Sequence, residues 1–470
     1  MFDVAIVGYG PTGATLAKLL GMQGLAVAVL EREPGLLRLP RAVHFDGEVM
    51  RIFETAGIAG ALAPRVRPSG GMRYVNAAGE VMIERKPAGE PGPHGWVNNY
   101  LFHQPDLELT LRDAVAQHPR VQVFTQREVT AVSQDAQGVV LATDAGPVTA
   151  RWAVGCDGAR SLVRQAIGAD HHDLGLHQPW LVVDVVLKRP VELPHPTVQY
   201  CHPGRPVTYV NVTGARRRWE IMLMPGDVAE EMTRPEAVWR LLAPWLGPDD
   251  ATLERGAVYT FHSLLATRWR DRRLLIGGDA AHQTPPFLGQ GMCAGIRDAA
   301  NLAWKLARVA AGRSGEALLD TYQSEREPHA RAFIAEAVRL GGILQTTDPA
   351  VAAARDRRFR ETGREEMVNL SPRLGSGAHA GPPPAGEIFP QPLLADGRRL
   401  DAAIGGYRFA VLAPRARHAE LAPLCAANAV ALVDFATERL VLLRPDRYVA
   451  GVADSAAALE RLLQAAGGDS

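Results

Sequence analysis

The chain has 470 residues and a formal net charge of zero, with 51 basic and 51 acidic side chains. The length suggests about two to four domains, and a balanced charge argues against a dedicated nucleic-acid binder or polybasic membrane binder. Four cysteines, Cys156, Cys201, Cys293 and Cys425, stand far apart without a Cys-x-x-Cys pair, which speaks against a disulfide framework or a metal site and for a reducing cytoplasm.

The first residues are apolar, but no basic stretch precedes them, and Asp3 and several glycines interrupt them, so they do not read as a signal peptide. No run reaches the roughly 18 apolar residues that span a bilayer. Residues 4–7 form a short apolar strand, followed at once by Gly8-x-Gly10-x-x-Gly13, a helical segment over 14–23, and a second strand over 26–30 ending at Glu31. This is the dinucleotide fingerprint in its required context. Gly8 permits the tight turn, Gly10 lets backbone approach a pyrophosphate, and Gly13 lets helix pack on strand. Glu31 arrives where a carboxylate can take ribose hydroxyls, and its charge disfavours a 2′-phosphate there. The fingerprint alone does not separate NAD from FAD.

Arg41 to Asp46 follow a Pro-containing loop and lead into a helix. Arg41 suits a phosphate or carboxylate, or is a solvated loop arginine. His44 fits packing or capping as well as catalysis. Residues 70–100 read as a hairpin and a glycine-rich loop. Gln104 stands just before a helix with Pro105 at its start, as a ligand contact or a simple cap. Residues 151–156 form another strand, ending in Asp157-Gly158, at the edge of an open α/β sheet where ligands bind. From about 180 to 262 the pattern changes to short strands separated by turns, an antiparallel sheet inserted into the nucleotide-binding fold. Gln199, Tyr200, Tyr209, Asn211 and Met222 are candidates for its pocket, although alternation puts only half of a strand on one face. An apolar run at 274–276 then feeds Gly278-Asp279-Ala280-Ala281-His282, Pro285, and Gly289-Gln290-Gly291-Met292 ahead of a helix. Such a loop offers backbone N–H groups and a positive dipole end.

Four pieces recur together: the Gly8–Gly13 fingerprint, Asp157-Gly158, Gly278-Asp279-Ala280-Ala281-His282, and Tyr322-x-x-Glu325-Arg326-x-Pro328. Over residues 1–345 the chain resembles the FAD-dependent aromatic hydroxylases of the para-hydroxybenzoate hydroxylase class. The 41–46 and 99–104 stretches are most similar to the 3-(3-hydroxyphenyl)propionate hydroxylases. The resemblance implies a Rossmann-like α/β FAD-binding domain with an inserted antiparallel β-sheet substrate domain and a short thioredoxin-like C-terminal domain. It divides the chain at 1–175 (with 70–100 contributing to the substrate domain), 176–262, 263–345, a linker over 346–392, and 393–470. It places Gly8, Gly10 and Gly13 on the FAD pyrophosphate, Glu31 and Arg32 at the adenosine end, and Arg41, Gln104, Asp157 and Gly158 on the cofactor. Asp279 would hold the ribityl chain, and Pro285, Gly289, Gly291 and Met292 the flavin ring.

The implied reaction uses NADH or NADPH and dioxygen to hydroxylate a phenolic ring through a flavin C4a-hydroperoxide, with the cofactor carrying the chemistry. A base that polarises the phenol would come from His44, His103, Tyr200 or Tyr209, and His44, Tyr200 and Tyr209 are retained as catalytic candidates. His282 reads as an orienting residue of its loop. No second fingerprint for NAD(P)H is visible, as the resemblance implies. The C-terminal domain lacks a Cys-x-x-Cys and is expected to serve packing or subunit contact, compatible with a homodimer. A larger, polyketide-derived aromatic substrate is an alternative, as is a non-catalytic flavin-binding sensor. A halogenase is disfavoured, because none of the tryptophans stands in a Trp-x-Trp-x-Ile-Pro context.

Overall fold

The computed structural model describes residues 1–36, 41–87 and 89–467. Its first sheet is organised on the strand Phe2–Val7, in which Val4, Ala5 and Ile6 are fully buried. Burial on both faces is the environment of a central parallel strand, and the strand pairs in parallel with Val27–Leu30 on one side and Val148–Gly155 on the other. Leu274–Ile276 extends the sheet in parallel beyond Val148–Gly155. The carboxyl ends of these strands share one edge, where Gly8, Cys156 and Gly277 donate their N–H groups to neighbouring strand carbonyls. Helices Pro11–Met22 and Gly291–Ala310 cross closely over this edge. A Cβ on Gly295 would lie 2.3 Å from Thr12 Oγ1, so the crossing requires glycine.

The second sheet has nine strands: His282–Gln283, Ala251–Ala266, His171–Leu187, Arg216–Met222, Val207–Asn211, Thr197–Cys201, Met72–Asn76, Val81–Arg85 and Glu365–Glu366, in spatial order. It is mainly antiparallel, as expected for the inserted sheet. Two pairings are parallel, Thr197–Cys201 with Met72–Asn76 and Val81–Arg85 with Glu365–Glu366, because these neighbours come from distant parts of the chain. Its two faces are distinct. Leu181, Val183, Val198, Tyr209, Trp219 and Ile221 pack against Val238 and Leu242 of the helix Pro235–Leu242. Tyr74, Trp180, Cys201 and Met222 pack against Phe287 and Leu288, which precede the helix Gly291–Ala310. Residues 346–392, expected as a linker, contain the helix Pro349–Thr362, whose first turn is capped by Asp348 accepting from Ala350 and Val351 N–H.

The C-terminal sheet runs Ala431–Asp434, Ala410–Ala413, Leu440–Leu443, Val449–Ala453, with the first pair parallel and the others antiparallel. With the helices His418–Ala427 and Ala456–Gly467 this is the strand order and direction of a thioredoxin-like unit. Among the described residues no helix is long and apolar enough to cross a membrane.

Buried charges fasten this unit to the rest. Arg444 donates to both Glu325 oxygens at 2.9 Å, and Lys305 donates to the same carboxylate at 2.8 Å. Arg51 meets Asp401 through two bonds of 2.8 Å. Burial pushes the Glu325 carboxyl up, but Arg444 and Lys305 pull harder and leave it well below its ordinary value. A carboxyl with a depressed folded pKa stabilises fully above its unfolded value, about 4.3, and loses that contribution as pH falls below it. Glu325→Gln leaves two buried cations without their shared counter-charge and should cost about 3–5 kcal/mol in urea denaturation. The variant should also lack the part of the acid-induced loss that Glu325 contributes to the parent, measured as unfolding free energy against pH.

Candidate active site

The site begins where the first sheet ends. Gly8 has φ +99, and a Cβ on it would lie 2.4 Å from the Cys156 carbonyl oxygen; one on Gly13 would lie 2.1 Å from the Gly8 carbonyl oxygen. Both glycines therefore serve the turn itself. A Cβ on Gly10 would meet nothing within 4 Å, so there the backbone faces open space. Gly10 is also the N-cap of the helix Pro11–Met22 and supplies no side-chain cap. First-turn N–H groups facing an open cradle suit a pyrophosphate. Glu31 is fixed beside this turn: its carboxylate accepts from Tyr9 N at 2.8 Å and from Glu33 N at 2.9 Å. Each oxygen keeps a lone pair for a ribose hydroxyl. Arg32 is mostly exposed and pairs with Glu33 at 3.3 Å.

Gln104 is buried. Its Oε1 accepts from Arg41 N at 2.7 Å and Ala42 N at 2.8 Å, and its Nε2 donates to Glu108. It pins the 41–42 segment, and its amide is committed to protein partners. Asp157 is engaged by the chain through one oxygen, while its Oδ1 is buried without a partner among the described residues. Its Oδ2 accepts from Leu162 N at 2.8 Å and Val163 N at 3.3 Å, so it caps the helix Leu162–Ile167. Gly158, with φ +78, makes the turn between them.

At the other end of the cleft, Asp279 follows Gly278 and opens to solvent. Surrounding protein mass pushes its carboxyl up, and Arg41 and His282 draw it back down. Pro285 leads into the turn Pro286–Leu288, and Gly289 leaves it at φ +71. A Cβ on Gly289 would lie 2.8 Å from His44 Nδ1. The helix Gly291–Ala310 then begins with no side-chain cap at Gln290, leaving the N–H groups at Gly291 and Met292 for an electron-rich edge. Asp298 holds the loop from below. One of its oxygens accepts from His282 Nε2 at 2.6 Å and Gly278 N at 3.1 Å, and the other from Arg326 at 2.9 Å. Tyr322 donates to the Ile276 carbonyl at 3.0 Å. The fingerprint cradle, the Glu31 acceptor, the Asp279 carboxylate and the uncapped second helix together fit an elongated dinucleotide such as FAD.

The sheet beneath is read by register. Tyr74 pairs with Gln199, Gln199 with Thr208, Thr208 with Glu220, Glu220 with Val182, and Val182 with Ala257. Directly paired residues point to the same face. Tyr74 donates its hydroxyl to the Phe287 carbonyl at 3.0 Å, so the whole row faces the flavin-side loop. The neighbouring row carries Arg218, which donates to Asp184 at 2.7 Å and to the Arg41 carbonyl at 2.7 Å. On the other side Trp180 lies 5.5 Å from the Phe287 ring and 6.0 Å from Phe261. Glu220 is buried with its carboxylate 3.9 Å from Arg218 Nη1. Burial raises its pKa, with Arg218 acting against that and Asp184 with it.

This geometry corrects three catalytic candidates. Tyr200 and Tyr209 lie on the far face: Tyr200 stacks near Trp245 at 5.5 Å and Tyr209 near Trp219 at 5.1 Å. The two-residue period carries them away from the cleft, and Asn211 with them. His44 is near the site but fully engaged, with Nδ1 3.1 Å from the Gly289 carbonyl and Nε2 2.9 Å from the Asn99 side-chain amide. Asn99 presents its Oδ1 to Nε2 and donates its NH₂ to Asn369 Oδ1 at 3.3 Å, so His44 ties the Gly289 turn to the strand that carries Asn99. Burial lowers the His44 pKa, with Arg85 acting in the same direction and the Gly289 and Asn99 contacts against it. Of the sheet candidates, Gln199 and Met222 do face the cleft. Glu220, Tyr74 and Trp180 were not foreseen, since nothing in a strand's own pattern says which of its two faces meets the loop.

Known proteins bear on this arrangement. A family model described as an FAD binding domain matches residues 1–337. A probable NADH-specific resorcinol 4-hydroxylase from Rhodococcus jostii is 43% identical over 404 residues, covering 84% of this chain and 75% of that protein. A 3-(3-hydroxy-phenyl)propionate/3-hydroxycinnamic acid hydroxylase from Mycolicibacterium smegmatis is 36% identical over 435 residues, covering 87% and 76%. Aklavinone-11 hydroxylase, solved with FAD and aklavinone, superposes with a TM-score of 0.83 at 24% identity over 99% of both chains, a likeness of fold. The chain therefore belongs to the FAD-binding-domain family of flavin-dependent aromatic hydroxylases.

Proposed function

We propose that this enzyme hydroxylates a single-ring phenol with a meta substituent, using NADH. The two relatives act on resorcinol and on 3-hydroxyphenyl acids by their names, and both substrate types are meta-substituted phenols. FAD, when bound, would supply the redox chemistry, accepting hydride from the nicotinamide and activating dioxygen, with one oxygen atom going to the ring and the other leaving as water. The chain's contribution is placement, charge and exclusion of water.

In this reading the Gly8–Gly13 turn and Glu31 hold the adenosine diphosphate end, with Arg32 at its exposed rim. Arg41 and Asp279 hold the middle, and the backbone from Pro285 through Gly289, Gly291 and Met292 meets the flavin ring. The N-terminus of the helix Gly291–Ala310 favours negative charge on the ring's pyrimidine edge. Gln104, Asp157 and Gly158 shape the loops that carry these contacts. Trp180, Met222, Phe261 and Phe287 supply an apolar wall that keeps water from the reacting atoms.

The observation that carries the phenol assignment is Glu220, a buried carboxyl in the row beneath the flavin-side loop. A carboxylate accepting the phenolic O–H raises electron density at the ring carbons ortho and para to it. The Gln199–Thr208 pair beside it offers further polar contact.

Three outcomes are expected. Phenol-stimulated NADH oxidation should yield hydroxylated product in stoichiometric amount; a flavin-loaded preparation unresponsive to a panel of meta-substituted phenols would refute the assignment. Glu220→Gln should lower kcat by about 100-fold or more while leaving KM within a few-fold, and steady-state kinetics with product analysis would show it. Asp279→Ala removes a hydrogen bond to a charged group, about 1.5–3 kcal/mol, so FAD affinity should fall about 10-fold or more by fluorescence titration, with the apoprotein's circular dichroism unchanged.

A further inference from the structure

Arg85 ends the strand Val81–Arg85 and pairs across to Met72. The register continues from Met72 to Thr197, so Arg85 belongs to the sheet face that meets the flavin-side loop. Only 7% of the residue is exposed. Among the described residues, nothing hydrogen-bonds or forms an ion pair with its guanidinium, and Nε is buried without a partner.

The nearby carboxylates are committed elsewhere. Glu84, on the opposite face, pairs with Arg73 at 2.8 Å and Arg364 at 2.7 Å. Asp46 pairs with Arg297 at 2.5 Å. Glu366 pairs with Lys86 on the surface. Arg218 and Arg255, farther along the same face, share Asp184. Arg85 stands apart from them as a buried cation that has no counter-charge of its own. A buried, uncompensated charge is among the costlier features a fold can retain, and a guanidinium is the side chain best shaped to grip a carboxylate with two parallel bonds.

The surroundings locate it within the site. Its cross-strand partner Met72 stands two residues from Tyr74, whose hydroxyl contacts the Phe287 carbonyl, and its charge reaches His44, whose Nδ1 contacts the Gly289 carbonyl, adding to the burial that lowers the His44 pKa. It therefore lies under the turn that meets the flavin ring. The phosphate cradle at Gly8–Gly13 is in the other sheet. Burial lowers the Arg85 pKa to about 10, with Tyr74 and Asp46 opposing, so it remains a cation at neutral pH.

We infer that Arg85 is the anchor for a carboxylate on the aromatic substrate, which makes the enzyme selective for a phenol bearing an acidic side chain. This rests on the hydroxylase reading and narrows it: a neutral diphenol such as resorcinol lacks the group that Arg85 takes. The apolar wall of Trp180, Phe261 and Phe287 receives the ring, and the cation takes the tail.

The test uses the FAD-loaded enzyme and two ligands that carry no hydroxyl, 3-phenylpropanoate and its amide, titrated against the flavin absorbance spectrum. The parent should bind the carboxylate about 10- to 100-fold more tightly than the amide, as expected for one charge-assisted contact. Arg85→Gln should erase that preference, and Arg85→Lys should keep part of it. In turnover, Arg85→Gln should raise KM for 3-(3-hydroxyphenyl)propanoate by a similar factor and change KM for resorcinol less than about 3-fold. Equal binding of acid and amide by the parent would overturn the inference even if the variants failed to fold. So would an equal loss for resorcinol and the acid in Arg85→Gln. A carboxylate preference that vanishes in Arg85→Gln, together with no hydroxylation of any phenol, would uphold the anchor and overturn the hydroxylase reading instead.

Discussion

The Asp298 carboxylate is the contact on which the site depends. It joins three parts of the chain that are remote in sequence: the Gly278 backbone, the His282 ring and the Arg326 guanidinium. Asp298 is nearly fully buried. Burial alone would favour its protonated form, but His282 and Arg326 outweigh that and hold it ionised. The loop carrying Asp279 is thus tied to the helix that follows it and to the long helix Ala317–Leu344. On that long helix Tyr322, one turn before Arg326, and Glu325, adjacent to it, extend the tie to the strand Leu274–Ile276 and to Arg444 of the C-terminal unit. One stretch of five consecutive helical positions, 322–326, therefore fixes both the flavin-side loop and the packing of the last domain.

Local features were the most legible in the sequence. Gly8, Gly10 and Gly13 announce the turn because each answers a separate steric demand, and the structure gives each a different neighbourhood. Glu31 could be placed because the spacing from the turn to the end of the next strand is set by helix length. His282 could be read as an orienting residue from its position within the loop, and its bond to Asp298 agrees. The C-terminal unit was legible through its likeness to a thioredoxin-like domain without a Cys-x-x-Cys pair, although the helix His418–Ala427 between its first two strands was not.

Contacts between sheet and loop were not legible. Tyr200 and Tyr209 were reasonable on chemical grounds, but a strand's pattern reports two faces without saying which one meets the cofactor. Here both faces are buried, one packed against the helix Pro235–Leu242 and the other, with Gln199, Thr208 and Glu220 among its residues, against Phe287 and Leu288, so burial could not choose. Glu220 was hidden for the same reason, its neighbours Trp219 and Ile221 belonging to the far side. His44 was visible as a histidine near the site. Its task became clear only with Gly289 and Asn99 in place, 245 and 55 residues away in sequence.

The two-faced sheet has a consequence for how such an enzyme diversifies. Residues that shape the pocket and residues that secure the fold alternate along the same strands, so Arg218, Glu220 and Met222 are interleaved with Trp219 and Ile221. A replacement at one parity retunes what enters the cleft while the hydrophobic packing behind it stays intact. A replacement at the other parity disturbs that packing without touching the ligand. Changes of substrate can then accumulate in single steps, each read by a different set of neighbours, on a scaffold that keeps its cofactor throughout.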